Sequence, residues 1–203
     1  MKTAPPLPTR GRPRSFDPDT ALDQALQVFW RKGYEGTSLS DLTEALGINR
    51  PSLYAAFGNK EELFRKALSR YASGPAGYFQ EALARPTVRE AIARLFDGSI
   101  TMFTDPRNPP GCLVVQGALS CGDEAKPIRE ELAARRAASE QAIRKRLKQA
   151  ITEGELTAGT DAGDLARFIA TVMHGMSVQA AGGAGRKELK RVADIALRAL
   201  SLA

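Results

Sequence analysis

Residues 45–63 read ALGINRPSLYAAFGNKEEL, and no other stretch restricts the fold of this chain as tightly. Gly47-Ile48-Asn49 turns the chain, Arg50-Pro51 opens a short helix with proline in its first turn, and Asn59 with Glu62 caps the start of the next helix. The helix between those signals runs from 50 to 57. Leu42, Leu46, Ile48 and Leu53 supply a small core that packs on Leu22, Leu26 and Phe29. Gly47 sits where the turn calls on a positive φ, which glycine adopts without steric cost. Arg50, Pro51, Ser52, Tyr54 and Ala55 are left facing away from that core.

Helical periodicity continues through the rest of the chain, and no alternating strand pattern of useful length interrupts it. Asp17-Pro18 caps and opens a first helix with the stripe Leu22, Ala25, Leu26 and Phe29, ended by Gly33. Ser38 with Asp41 forms a capping box for a second helix through Leu46. The fourth helix carries Leu63, Phe64, Ala67, Leu68 and Tyr71, and breaks or kinks at Gly74-Pro75 and Gly77. Beyond it the spacing predicts helices from Thr87 to Phe103, from Cys112 to Ser120, over 125–153, over 162–181 and over 187–202. The expected fold is all-α. A basic arm covers 1–15, a three-helix head covers 16–60, and a larger helical bundle covers 61–203.

Composition narrows the function classes. Of 203 residues, 43% are hydrophobic and 26% charged, ordinary for a globular chain, and the net charge of +6 suits an acidic partner. Lys2, Arg10, Arg12 and Arg14 precede the first acid, Asp17. No apolar run approaches the roughly 20 residues that span a bilayer, so no membrane partner is expected. The N-terminus lacks the apolar middle of a secretion signal, and two cysteines are too few for a disulfide framework. These features predict a cytoplasmic protein.

Two short helices across a glycine turn form a helix-turn-helix, whose second helix enters the major groove of double-stranded DNA N-terminus first. Arg50 offers two donors to a guanine edge, Ser52 serves as donor or acceptor, and the Tyr54 hydroxyl reaches a phosphate. Thr37, Ser38 and Ser40 cluster where a helix N-terminus favours a phosphate. Lys60 opens the fourth helix against its dipole, a conflict that a phosphate would relieve.

The run from Gly11 to Leu68 closely resembles the N-terminal DNA-binding domain of TetR/AcrR-family transcriptional regulators. That resemblance implies base contacts from Arg50, Pro51, Ser52 and Ala55, a backbone contact from Tyr54, and a clamp at Lys60. Thr43 stands where the family usually has alanine, which a hydroxyl bonded within its own helix tolerates. Ala55-Ala56 replaces the common aromatic-His pair, which removes polar contacts and predicts a different operator.

The stretches GCLVVQGALSCG and DLARFIATVMHGMSVQAAGGAG look like a subgroup of the same regulators, with a ligand-responsive bundle whose last two helices form a homodimer. The residues agree. Leu189, Val192, Ala196 and Leu200 make one apolar stripe of the last helix, and Ile195, Ala199 and Leu202 make a second. Leu165, Phe168, Ile169, Val172, Met173 and Met176 are expected to face inward. The effector is expected to be a small, largely apolar or aromatic molecule. Its pocket is predicted from Phe79, Phe96, Ile100, Phe103, Met173 and Met176, with Cys112, Gln116 and His174 as its polar or reactive groups.

Several readings stand beside these. His174 lacks an evident nucleophile, orienting acid or fellow histidine, so neither catalysis nor a metal is expected, and no cofactor is implied. The basic run from Arg135 to Lys148 reads as a solvated helix face. Cys112 at a helix start is either a small core residue or a low-pKa sensor of oxidants and electrophiles. On one continuous helix Cys112 and Cys121 would be about 13.5 Å apart along the axis, too far for a disulfide. An all-α enzyme and a DNA-binding architectural protein without an effector are the rival functions.

Overall fold

The computed structural model describes residues 16–118 and 122–200. Ten α-helices and one 3₁₀ turn occur among them, with no strand. The basic arm with Arg12 and Arg14, together with Cys121 and Leu202, lies outside the described residues.

Local chemistry sets the helix boundaries of the head. Asp17 caps α1 (Pro18–Lys32) by accepting the Thr20 N–H at 3.0 Å. Gly33 ends that helix at φ 71°. A side chain there would also crowd the Gly117 carbonyl oxygen, 3.2 Å from where its Cβ would stand. Ser38 and Asp41 form the reciprocal capping box of α2 (Leu39–Leu46), and Gly47 closes it in the left-handed region at φ 62°. Asn49 accepts the Ser52 N–H at 2.9 Å and starts α3 (Arg50–Phe57). Asn59 and Glu62 then box the start of α4 (Lys60–Ser73).

Helices of eight residues are marginal in isolation, so packing must hold α2 and α3. Leu42, Leu46, Leu53 and Phe57 are buried against Phe29, Leu63 and Phe64. The Phe29 and Phe64 rings meet edge to face at 4.9 Å. Lys66 donates to the Phe57 carbonyl at 2.9 Å and pins the end of α3 to α4. Thus α4 is half head and half body: its first turns close the head core, and its last turns carry Leu68 and Tyr71 into the bundle.

The helices of the bundle depart from the sequence reading in two places. A short helix, α5 (Tyr78–Leu83), follows Gly77, where only a break was expected. It has six residues and no side-chain cap, too little signal to register in the sequence. The helix expected over Cys112–Ser120 shrinks to α7 (Leu113–Gln116), four residues with β-branched Val114 and Val115 at its centre. Around them lie α6 (Val88–Phe103), α8 (Lys126–Thr152), α9 (Ala162–Ala181) and α10 (Arg186–Ala199). At 27 residues, α8 is about 40 Å long and packs on α9.

The outer helices also differ in which face is covered. Leu189, Ala193, Ala196 and Leu200 are the buried line of α10, whereas Val192 is exposed. Phe168, expected inside, is 40% exposed on α9. With Val178 (51%) and Ile195 (59%) it leaves apolar surface on both last helices.

Candidate nucleic-acid interface and body cavity

At the N-terminal end of α3, Arg50, Pro51, Tyr54 and Ala55 are exposed and Ser52 is half-buried. Ser38 and Ser40 are exposed at the start of α2. Arg50 Nη2 lies 3.3 Å from Ser40 Oγ, so one weak bond spans the two helices. The Thr43 hydroxyl donates to the Ser40 carbonyl at 3.1 Å, within its own helix. Lys60 Nζ sits 4.4 Å from the centre of the Tyr34 ring, where the aromatic face favours a cation.

Thr37 is placed differently from expectation. Its side chain is buried and its hydroxyl donates to the Gly33 carbonyl at 2.6 Å. It braces the bend between α1 and α2 and presents no hydroxyl outward. Nothing in the local sequence separates that role from a surface hydroxyl beside Ser38.

The head meets the body at a few specific bonds. The Tyr34 N–H donates to the Gly117 carbonyl at 2.9 Å, and the Gly122 N–H donates to Glu35 Oε1 at 2.8 Å. Arg70 on α4 grips Asp23 on α1 with two bonds, 2.7 and 2.8 Å.

A cavity of about 390 Å³ opens in the body between α4, α5, the end of α6, α7, α8 and α9. Leu68, Tyr71 and Ala72 bring α4 to its wall. Of the predicted lining, Phe79, Phe103, Cys112, Met173 and His174 are present. Phe96, Ile100, Gln116 and Met176 are not. Phe96, Ile100 and Met176 are sealed inside the helix packing. Gln116 is spent on α9, its Nε2 donating to the Ser177 carbonyl at 3.0 Å.

Polar residues that sequence reasoning missed line the same cavity: Tyr71, Tyr78, Ser139, Arg135 and Arg136. The basic run of α8 is therefore no uniform solvated face. Arg144, Lys145 and Lys148 are exposed, Arg135 and Arg136 reach the cavity, and Arg146 is buried with Glu155 at 3.0 Å. Spacing with the buried Ile143, Leu147 and Ala150 could have marked Arg146, but no such spacing marks Arg135 or Arg136.

Burial pushes the Tyr71 and Tyr78 phenols up, so both remain protonated donors or acceptors at neutral pH. Tyr78 shares a 2.8 Å bond with Ser99, and the Tyr71 hydroxyl is 3.1 Å from Cys112 Sγ. Burial raises the Cys112 thiol as well, outweighing the lowering by the Tyr71 bond. A four-residue helix supplies too little dipole to reverse that, so the low-pKa expectation for Cys112 does not hold. His174 is driven the other way: burial first, then the charge of Arg136, favour its neutral form.

One ionic chain leads from the cavity to α4. Arg135 Nη2 pairs with Glu131 Oε1 at 2.9 Å, and Glu131 Oε2 accepts from Arg65 Nε at 2.8 Å. Arg65 also pairs with Glu61 in the first turn of α4, at 2.6 Å.

Comparison with known proteins agrees with this architecture. Residues 21–67 match the profile described as bacterial regulatory proteins, tetR family, and residues 88–195 match a tetracyclin repressor-like C-terminal domain. The HTH-type transcriptional repressor ComR of Escherichia coli K12 is 38% identical over 192 residues, covering 94% of this chain and 91% of that one. A cysteine mutant of the TetR family transcriptional regulator CifR, solved with 26-bp double-strand operator DNA, superposes with a TM-score of 0.90. It is 47% identical, over 93% of this chain and 99% of that chain. A putative TetR transcriptional regulator from Rhodococcus sp. RHA1 is 43% identical, with a TM-score of 0.63 over 91% and 99%. With an exposed short helix at the end of a glycine turn, a separate helical body and matches along nearly its whole length, the chain belongs to the TetR family of bacterial transcriptional regulators.

Proposed function

We propose that this regulator is a homodimeric repressor, holding a palindromic operator with two heads (residues 16–60) and released by a small molecule bound in the body (residues 61–203). The observation that carries the proposal is the position of α4. One helix closes the core of the head with Leu63 and Phe64 and walls the body cavity with Leu68 and Tyr71. A ligand that moves the far end of α4 shifts the head rigidly attached to its near end. In this reading Arg50, Pro51, Ser52 and Ala55 face the base edges, while Ser38, Ser40, Tyr54 and Lys60 face the phosphates. The arm with Arg12 and Arg14 adds charge along the DNA. The site of action is the cytoplasm, and no helix among the described residues is long and apolar enough to cross a membrane.

Two heads must stand about 34–36 Å apart, or a multiple of it, to read successive major grooves. Phe168, Val178, Val192 and Ile195 supply an apolar surface on α9 and α10 for the partner. Light scattering should give twice the chain mass of 21.9 kDa, and Ile195→Glu should give monomer with loss of operator binding. A wild type that stays monomeric at micromolar concentration while binding operator fully rejects the dimer. Genome-wide selection of bound fragments would identify the operator.

A second reading, covalent sensing by Cys112, draws on the same cavity. The Tyr71 hydroxyl points at Sγ, as a thiolate would need, but burial holds the thiol protonated. Under the non-covalent reading Cys112→Ser retains ligand-driven release. Loss of release in that variant, with oxidant alone freeing the wild type from DNA, would establish the thiol as the sensor.

A further inference from the structure

The charged groups of the cavity all have one sign. Its walls hold Arg135 and Arg136 beside a neutral His174, and no Asp or Glu. Arg135 is balanced from outside the lining by Glu131. Arg136 is not. Its Nη1 donates to the uncharged Val114 carbonyl at 2.7 Å, and among the described residues no carboxylate lies within ion-pairing distance of it. A guanidinium has five N–H donors in a planar fork suited to two oxygens at once, so most of its capacity remains unspent. His174 adds no second positive charge beside it: burial, then the charge of Arg136, favour the neutral imidazole. Glu140, the acid nearest in effect to His174, is held by Arg167 at 3.0 Å.

An arginine half-removed from water at the edge of an apolar cavity carries a desolvation cost that a bound anion would offset. Phe79, Met102, Phe103 and Met173 give the same cavity apolar lining. We infer that the effector is an amphipathic organic anion, a small carboxylic acid with an aromatic or short alkyl body, its carboxylate on Arg136 beside His174 and its body against Phe79 and Phe103. This rests on the reading of the cavity as the effector site. The volume of about 390 Å³ lies at the small end of ligand pockets, which run from roughly 300 to 1,000 Å³, and so favours one ring or a short chain. An anion that also engages Arg135 competes with Glu131 and loosens the ionic chain to Arg65 on α4.

The test compares matched pairs on the full-length dimer at one pH and ionic strength: benzoate, phenylacetate and hexanoate against benzamide, phenylacetamide and hexanamide. Calorimetric Kd and operator release are measured for each. The acids should bind at least about tenfold more tightly than their amides and release DNA in the same order. Arg136→Gln keeps a donor for the Val114 carbonyl but not the charge, and should erase the preference while leaving amide binding unchanged. Should that variant fold poorly, the acid-to-amide ratio of the wild type decides alone. Amides that bind as well as the acids, with Phe79→Trp blocking both, would overturn the anion proposal and leave the cavity reading standing. If no compound of either series binds or releases operator, the cavity reading falls with it.

Discussion

The head and the body are both helical, yet they are held together differently. In the head, short helices surround a tightly packed core, and Leu42, Leu53, Leu63 and Phe64 have no solvent exposure. In the body, longer helices enclose a polar-edged space, and several of its lining groups are only half-buried. A solid core transmits displacement as a rigid unit, whereas a cavity provides the free volume through which a bound molecule alters packing. The division suits a reading head on a deformable base, and α4 belongs to both.

The sharpest way to break this contrast is to remove packing from each side. Leu53→Ala should cost about 2–5 kcal/mol, because a sealed core leaves the void unfilled. Phe79→Ala, at a cavity wall already half-open, should cost clearly less. Urea titration of both variants checks this, and equal losses would mean that the body is as tightly determined as the head.

Function separates the regions next. Arg50→Ala should lose about 1–3 kcal/mol of discrimination between operator and scrambled DNA, while Tyr54→Phe weakens both sequences alike. Neither change should alter ligand binding in the body. Binding titrations at a single salt concentration measure both effects, and unchanged affinities in folded variants would remove these residues from the interface.

The ionic chain joining the regions offers a smaller effect. Glu131→Gln takes the charge from between Arg65 and Arg135 and should cost under about 1 kcal/mol of stability, as expected of a pair near the surface. Its signature is in the coupling: ligand still binds, no more weakly than to wild type, but the factor by which ligand weakens operator binding falls. An undiminished factor would show that α4 receives the signal by packing alone.

The smallest effect concerns acid. The Lys32 ammonium, followed by the Ser38 N–H and hydroxyl, holds the Asp41 carboxyl down at about 2 in the folded head, below its ordinary 3.8. Its contribution is therefore complete above pH 3.8 and fades as pH falls through about 2. Urea unfolding of the wild type and of Asp41→Asn at pH 6 and at pH 2.5 should show the difference between them shrinking in acid. A constant difference would assign the role of Asp41 to shape instead of charge.

Much of the head was legible because its instructions are local. Ser38 with Asp41 and Asn59 with Glu62 each satisfy backbone groups three residues away, so the sequence names both partners. Gly47 likewise marks its own turn. Thr37 escaped that logic: whether its hydroxyl turns outward or back to Gly33 depends on how α1 approaches α2.

By itself, then, the sequence determined the all-α class, most helix ends and the family, since periodicity, caps and motif residues act within a few positions of one another. The tertiary structure alone decided which apolar side chains enclose space. On α6, Phe96 and Ile100 are sealed in packing while Met102 and Phe103 border the cavity. Phe96, Ile100 and Phe103 share one apolar face at i, i+4 and i+7, so a 3.6-residue period cannot tell a wall from a filled core. The arginines of α8 divide for a related reason. Arg136 reaches the cavity and Arg144 meets solvent according to which helices pack on each side of α8 and where they leave space, and that packing is written in no local stretch of the chain.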